Sequence, residues 1–424
     1  MRVRKKKVKA IAVWAVFAFC FITLTGCGSS FEPNEISLVQ FIGIDQGKEN
    51  LLDVSFLIAI PQNLAGENSK GGEGSFLVTV SAPTVFQAMR LANTFVGRRM
   101  SLIHAKGIIF SDLAAKSGLI AELLPSLLQY RETRGTAFVA VTEDDPAELL
   151  ENFVPLLEAN PSRYMELLTQ NYRYTGYITS SQAQEIYNEL KVLGTDSIVT
   201  LINLSSEELS KSEKQGDFRS GGSYVAGELP KKGGVEIQAI GGAVLKNGKM
   251  IATLNGNETM IANIVRGEFK SSLMALPSPD QKNDIINLEI FYARTPQISV
   301  RLSEEGVVID LHLRFEGNVL GGGTTIDYAL KKNRTRLEKE VARSIKKGVE
   351  EVVAKSQELK ADFLNFGLKG RRLVSTVKDW NDLNWDNLYA SAQVNVQVDF
   401  VVRRTSTIFK HAPITTDEVG EGEE

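Results

Sequence analysis

Cysteine is almost absent from this chain of 424 residues, which contains only Cys20 and Cys27. Cys20 lies inside an apolar run near the N-terminus, so the body of the protein has at most one thiol of its own. We therefore predict no disulfide framework, no cysteine-ligated metal site and no cysteine nucleophile in the body. A chain of this length buries enough apolar surface to fold without disulfides.

Histidine is also scarce, and the usual signs of catalysis are missing. His104, His312 and His411 are the three histidines, and no two of them have a metal-ligand spacing. There is no Gly-x-Ser-x-Gly nucleophile elbow, and no carboxylates can be paired from the sequence as an acid and a base. The sequence thus predicts no enzyme, no cofactor and no metal site.

Charge is unevenly distributed along the chain. The formal net charge is −3, yet the first 26 residues hold six basic side chains and no acidic one. The rest has 42 basic and 51 acidic side chains, a net charge of −9. A body this acidic is a poor candidate for nonspecific nucleic-acid binding, which requires cationic surface to displace counterions from phosphates.

The N-terminus has the form of an export signal. A cationic run from Arg2 to Lys9 precedes uncharged, largely apolar residues from Ala10 to Leu24, a core shorter than a bilayer span. The following Leu24-Thr25-Gly26-Cys27 resembles a bacterial lipobox. We predict that residues 1–26 are cleaved as a signal peptide and that the Cys27 thiol receives a diacylglyceryl group. An uncleaved anchor helix is the alternative.

Residues 27–200 are predicted to form a mixed α/β domain. Val54–Ile60, Phe76–Val80, His104–Phe110 and Ala137–Val141 are rich in β-branched and aromatic residues and are typical of strands. Between them, apolar residues recur every three or four positions after Thr84, Asp112 and Asp145, which indicates capped helices. The order of these elements is that of a sheet with covering helices.

The remainder is predicted to comprise a centre and a C-terminal domain. Residues 201–270 contain a polar linker and a hairpin that turns at Asn247-Gly248, the preferred dipeptide of a type I′ turn. Residues 271–410 combine alternating strands with a long helix from Ile326 to Leu359, and residues 411–424 are an acidic, disordered tail. The fold class is therefore α+β: a multi-domain body whose antiparallel or mixed sheets are covered by helices.

Two clusters outside the signal are candidates for structural or interaction roles. Arg131 and Arg134 follow a predicted helix and accompany His104, which we assign a structural role in an apolar strand; ion pairing and helix capping are the ordinary explanation for the arginines. Trp380 and Trp385 are predicted in a loop before the last strand. Packing anchors are favoured there over a sugar-binding platform.

In combination, these motifs resemble the Ger(x)C family, the C-subunit lipoproteins of spore germinant receptors in endospore-forming bacteria. The resemblance rests on the co-occurrence of these motifs and on their order behind the lipobox. The matching stretches are Arg98–His104, Leu113–Gly118, Arg131 with Arg134, Gly241–Met250, Asp362–Gly367, Trp380, Trp385 and the strand that ends at Arg404.

The resemblance implies a non-enzymatic, lipid-anchored subunit on the outer surface of the spore inner membrane. It further implies assembly with the A and B membrane subunits of a receptor that senses small nutrients and triggers germination. Two alternatives remain open at this stage. A lipid-anchored solute-binding protein of a transporter would have two doubly wound lobes, and a cell-envelope hydrolase would need an acid/base pair.

Overall fold

The computed structural model describes residues 14, 33–49, 51–60, 74–153, 158, 160–206, 220–278, 285–303, 306–322 and 326–405. Cys27, nearly all of the predicted signal peptide and the predicted tail at 411–424 lie outside these residues. The described part contains two β-sheets with helices packed on them, so the α+β prediction is confirmed.

The larger sheet contains nine strands from the first two-thirds of the chain. Their order is β3-β2-β1-β5-β6-β7-β8-β9, and the short β4 pairs with the beginning of β1. The strands are β1 Ile36–Gln46, β2 Leu52–Ala59, β3 Ser75–Ala82, β4 Arg99–Ser101, β5 Gly107–Ser111, β6 Phe138–Thr142, β7 Ser197–Leu204, β8 Ile237–Lys246 and β9 Lys249–Leu254.

The pairing follows the connections between the strands. β1, β5, β6 and β7 are parallel neighbours joined through helices, whereas the hairpins β1–β2, β2–β3 and β8–β9 are antiparallel. Asn247 and Gly248 both have positive φ angles, as a type I′ turn requires, so the hairpin prediction is confirmed. β8 pairs with β7, which makes the hairpin a continuation of the large sheet.

Helices cover both faces of this sheet. Thr84 caps α1 by accepting from the backbone nitrogen of Gln87, and Asp145 caps α4 in the same manner, as predicted. The cap of α2 is Ser111, one residue before the predicted Asp112. The helices are α1 Val85–Val96, α2 Asp112–Ser117, α3 Leu119–Gln129, α4 Pro146–Glu151, α5 Pro161–Gln170, α6 Tyr172–Thr175, α7 Ala183–Lys191 and α8 Gly256–Arg266.

The smaller sheet contains four strands in the order β10-β11-β12-β13. Its strands are β10 Ser271–Pro277, β11 Ile285–Ser303, β12 Gly306–Gly322 and β13 Gln393–Arg404, and its helices are α9 Lys331–Glu358, α10 Gly367–Gly370, α11 Val377–Asp382 and α12 Trp385–Ala390. The first three strands are antiparallel. β13 is parallel to β12, because the helical crossover returns the chain to the same end of the sheet.

The long helix α9 covers one face of the smaller sheet. Leu337, Val341, Ile345 and Val349 recur at helical spacing and are buried there. The predicted helix from Ile326 would place Leu330, seven residues before Leu337, on the same side, but Leu330 is exposed because the helix begins only at the next residue. One apolar core joins the smaller sheet, α9, α8 and residues of the hairpin β8–β9, so the two sheets pack as one continuous body.

Two local predictions are wrong. The strand expected at His104 begins only at Gly107, and His104 lies exposed in the preceding turn. Trp380 and Trp385 do not lie in a loop, because each is in a short helix of six residues, α11 and α12. Helices this short have little intrinsic stability, and packing of their buried tryptophans explains their formation.

Candidate interaction site

Trp380 and Trp385 form the centre of a buried aromatic junction between the two sheets. Each indole is 3% exposed, and the two rings stack with their centroids 5.3 Å apart. Tyr389 stacks in turn on Trp385 at 6.0 Å. Because the ring faces cover one another, the pair has the geometry of packing anchors, and neither ring offers a free face to a sugar.

Polar groups of the junction connect it to the segment before β7. The indole nitrogen of Trp380 donates to the carbonyl oxygen of Leu193 over 2.9 Å. Gly194 follows with a φ of +83°, and a Cβ there would lie 2.5 Å from the Trp380 ring. Gly367 approaches more closely still, since a Cβ added there would overlap the carbonyl oxygen of Gly194. Both positions therefore require glycine for the two halves of the chain to meet.

Asp362 is the buried carboxylate of this junction. Its oxygens accept hydrogen bonds from the backbone nitrogens of Phe366 and Gly367 and from the indole nitrogen of Trp385. Burial raises the pKa of Asp362 to about 6, and these three donors, with the Arg266 guanidinium, oppose that rise. The carboxylate orients the turn before α10.

Asp196 is a second carboxylate in the junction, and its backbone nitrogen donates to the carbonyl oxygen of Asp362 over 3.1 Å. Burial raises the pKa of Asp196 to about 7, and the negative charges of Asp386 and Asp362 act in the same direction. Lys246, which forms an ion pair with Asp386 at 3.1 Å, lowers it. Sequence reasoning missed Asp196, because nothing in its local pattern indicates burial beside a distant helix.

A buried ion triad lies next to the junction. The guanidinium of Arg266 pairs with Glu189 of α7 and, at 2.9 Å, with Glu268, and it also donates to the carbonyl oxygen of Phe363. The Arg266 side chain is 7% exposed. Arginine satisfies several acceptors with its planar fork, which suits a position where helices from both halves of the chain converge.

The structure places the other predicted residues apart from the tryptophans, in a basic turn. Arg131 and Arg134 lie exposed in the turn between α3 and β6. His104 lies near Arg134. Partial burial lowers the pKa of His104, and the positive charges of Arg134 and Lys106 lower it further. His104 therefore belongs with the arginines, as the sequence suggested, although in a turn and not in a strand.

The described residues offer neither a cluster of metal ligands nor a membrane-spanning helix. No group of three or more His, Cys, Asp or Glu side chains there could hold a metal ion. Within the same residues, no helix combines the length and apolarity needed to cross a bilayer.

The fold and the junction define an α+β protein of two joined sheets, and comparisons with known proteins define its family. Residues 29–204 match the model of the spore germination protein N-terminal domain, and residues 240–406 match that of the spore germination B3/GerAC-like C-terminal domain. The chain belongs to the Ger(x)C family of spore germination proteins.

Relatives match over nearly their whole length. Spore germination protein KC of Bacillus subtilis (strain 168) is 23% identical over 403 residues, which cover 91% of this chain and 93% of the relative. Spore germination protein GerQC of Bacillus cereus is 22% identical over 394 residues, 92% of this chain and 98% of the relative. The crystal structure of the GerBC protein has the same fold, with a TM-score of 0.51 and 13% identity over 85% of this chain and 96% of that one.

Proposed function

We propose that this chain is the lipid-anchored C subunit of a nutrient germinant receptor and that it assembles with the A and B membrane subunits to trigger germination. The observation that carries the proposal is the match of both halves, residues 29–204 and 240–406, to the family's two domains in order. The mature chain would start at Cys27, and the first match begins two residues later, at residue 29.

Lipid at Cys27 is the proposed means of attachment to the membrane. Each buried methylene contributes about 0.8 kcal/mol, so a single acyl chain anchors only weakly whereas two or more hold a protein stably. Tethering confines the body to a thin layer at the outer surface of the spore inner membrane. The effective concentration of the body near its membrane partners rises without any additional contact.

A role in assembly and not in catalysis fits the chemistry of the described residues. The carboxylates with strongly raised pKa values, Asp196 and Asp362, are buried in the junction and oriented by neighbours within the chain. The division into a signal peptide at 1–26, domains at 27–200, 201–270 and 271–410, and a tail at 411–424 is part of the same proposal. A rigid junction between the sheets would let one half transmit a displacement of the other.

The proposal is tested with Cys27→Ala, and Cys20→Ala is the matched control because Cys20 would leave with the signal peptide. We expect Cys27→Ala to release the protein from spore inner membranes and to reduce the germination response to nutrients, while Cys20→Ala leaves both unchanged. Intact mass should show a wild-type chain that begins at a diacylated Cys27. Wild-type retention and germination in Cys27→Ala spores would refute the anchoring.

Assembly requires a separate measurement. The native protein, solubilised from spore membranes, is expected to co-purify with two membrane proteins in fixed proportion. The alternative, a lipid-anchored solute-binding protein, has less support because three of the four strands of the smaller sheet form an antiparallel meander, whereas a doubly wound lobe has a mostly parallel sheet. Titration of the purified protein with amino acids and sugars by calorimetry distinguishes the two: micromolar binding without co-purifying membrane proteins would favour the alternative.

A further inference from the structure

The segment that leads to the predicted anchor enters the fold beside β4. Ile36, the first residue of β1, pairs with Arg99, and Leu38 pairs with Ser101. Eight residues lie between Cys27 and Ile36, so nine residue-to-residue steps join them. A chain of that length spans at most about 30 Å when fully extended. Whatever surrounds β4 is therefore held close to the lipid, if Cys27 is acylated as proposed above.

Hydrogen bonds gather three segments around β4. The carboxylate of Glu132 accepts from the Ser101 hydroxyl at 2.8 Å and from the Leu102 backbone nitrogen at 2.9 Å. The amide oxygen of Asn93, in the last turn of α1, accepts from the Met100 backbone nitrogen at 3.0 Å. The end of α1, the turn after β4 and the turn after α3 thus form one local surface.

Positive charge is concentrated on this surface. Arg98, Arg131 and Arg134 are exposed, and in the described part of the chain none of the three has an ion-pair partner. Partial burial lowers the pKa of the nearby His104, and the positive charges of Arg134 and Lys106 act in the same direction. The one carboxylate of the turn, Glu132, is engaged by Ser101 and Leu102.

Large apolar side chains project among these arginines. Phe95 is 63% exposed, Ile103 is 46% exposed and Leu91 is 41% exposed. Leu91 and Phe95 are one helical turn apart on α1, and they flank the buried stripe that contains Ala88 and Ala92. Aromatic and aliphatic groups that project among cations are the composition of protein surfaces that lie in the interface of a membrane.

We propose that the surface formed by Leu91, Phe95, Arg98, Ile103, Arg131 and Arg134, the β4 surface, lies directly on the bilayer and binds its anionic phospholipid headgroups. The inference rests on the anchoring proposed for Cys27 and adds an orientation to it. The rest of the body carries an excess of acidic side chains and is repelled by an anionic membrane. The negative surface potential of the membrane therefore turns the basic β4 surface toward the lipid. Phe95 and Ile103 then enter the headgroup region.

The near absence of cysteine makes the contact measurable. In the full lipidated chain Cys27 is blocked and Cys20 is removed with the signal peptide, so Phe95→Cys introduces one reactive thiol. The control thiol is Leu273→Cys, which replaces a side chain that is 65% exposed on β10 of the smaller sheet. Both are labelled with nitrobenzoxadiazole and reconstituted in vesicles of phosphatidylcholine with phosphatidylglycerol that contain a quencher-labelled lipid.

We expect the label at position 95 to shift to the blue and to be quenched several-fold more strongly than the label at position 273. Replacing phosphatidylglycerol by phosphatidylcholine, or raising the salt concentration, should reduce the difference because screening weakens headgroup attraction. Equal quenching at the two positions in anionic vesicles would overturn the inference. Protection of position 95 only after the partner membrane subunits are added would also overturn it, in favour of a protein contact.

Charge reversal provides the second arm. Arg131→Glu with Arg134→Glu is compared with Lys331→Glu with Lys332→Glu, which makes the same change at the exposed start of α9. The first pair should abolish quenching at position 95 and the second should retain it, with both variants matching wild type in their circular dichroism. Quenching unchanged by the first pair would contradict a role for the arginines.

Flotation with the vesicles separates the two proposals, and all these chains should float. A chain that does not float refutes the proposed lipid anchor at Cys27. A chain that floats but leaves the label at position 95 unquenched refutes only the contact of the β4 surface with the bilayer.

Discussion

The indole nitrogen of Trp385 donates a hydrogen bond of 2.9 Å to the carboxylate of Asp362, which is 1% exposed. The neighbouring Trp380 donates over the same distance to an uncharged acceptor, the carbonyl oxygen of Leu193. The two stacked rings thus make bonds of different electrostatic character from adjacent positions. One bond orients a buried charge within the C-terminal half, and the other joins that half to the larger sheet.

Replacing each tryptophan by phenylalanine separates the two bonds. Trp385→Phe removes a hydrogen bond to a carboxylate, which costs about 1.5–3 kcal/mol. Trp380→Phe removes a hydrogen bond to a neutral carbonyl group, which costs about 1 kcal/mol. Both variants lose a similar ring volume. Only the first cost should depend on pH. The bond favours ionised Asp362 and lowers its pKa, so the penalty of Trp385→Phe is greatest near pH 8 and shrinks as acid protonates the carboxyl.

Urea unfolding followed by circular dichroism at several pH values measures both variants. A pH-dependent penalty of equal size in Trp380→Phe and Trp385→Phe would show that the Asp362 bond is not the cause.

Asp196→Asn should stabilise the protein at alkaline pH. The pKa of Asp196 is raised to about 7 in the folded state, so the folded chain holds more protons than the unfolded chain between its ordinary pKa and 7. Stability therefore falls as pH rises through this window. At about 1.4 kcal/mol per pKa unit, the rise from the ordinary value to about 7 lets us expect the asparagine variant to gain up to about 4 kcal/mol at pH 8 and nothing near pH 4. Asp382→Asn, at an exposed position of α11, is the control; a variant no more stable than wild type at pH 8 would contradict the expectation.

Gly194→Ala should destabilise the junction more than Gly97→Ala destabilises the end of α1. Both glycines have similar positive φ angles, +83° and +76°, so both alanines incur about 1 kcal/mol of backbone strain. Only at position 194 would the added Cβ also meet the Trp380 ring, at 2.5 Å, while nothing lies within 4 Å at position 97. The difference between the urea unfolding midpoints of the two variants measures how tightly position 194 packs against the Trp380 ring. Equal midpoints would show that the junction relaxes enough to accommodate the added Cβ.

Arg266→Met should be strongly destabilising, because it leaves Glu189 and Glu268 without their shared cation. Removing one partner of a buried ion pair costs about 3–5 kcal/mol. Arg343→Met is the matched control: its ion pair with Glu340 on α9 is exposed and contributes at most about 1 kcal/mol. Equal effects of the two substitutions in urea unfolding would refute the buried triad as a stabilising element.

Local patterns predicted the elements well where periodicity was strong. The alternation in β12 and β13, the inner row of α9 and the Asn247-Gly248 turn all reflect preferences that act over a few residues. Local patterns gave the wrong element at His104, which lies in a turn, and at Trp380 and Trp385, which lie in short helices. The β4 turn depends on Glu132, some thirty residues away, and α11 and α12 depend on rings packed against the segment before β7.

The sequence alone determined the class of elements, the family resemblance and the near absence of thiols, since each is written in residue types and spacings. Only tertiary structure decided that the central hairpin extends the larger sheet, that β13 runs parallel to β12, and that Asp196, Asp362 and Arg266 are buried together. Burial and proximity arise between segments distant along the chain, and the pKa of a carboxylate is set by those neighbours and not by its own position in the sequence.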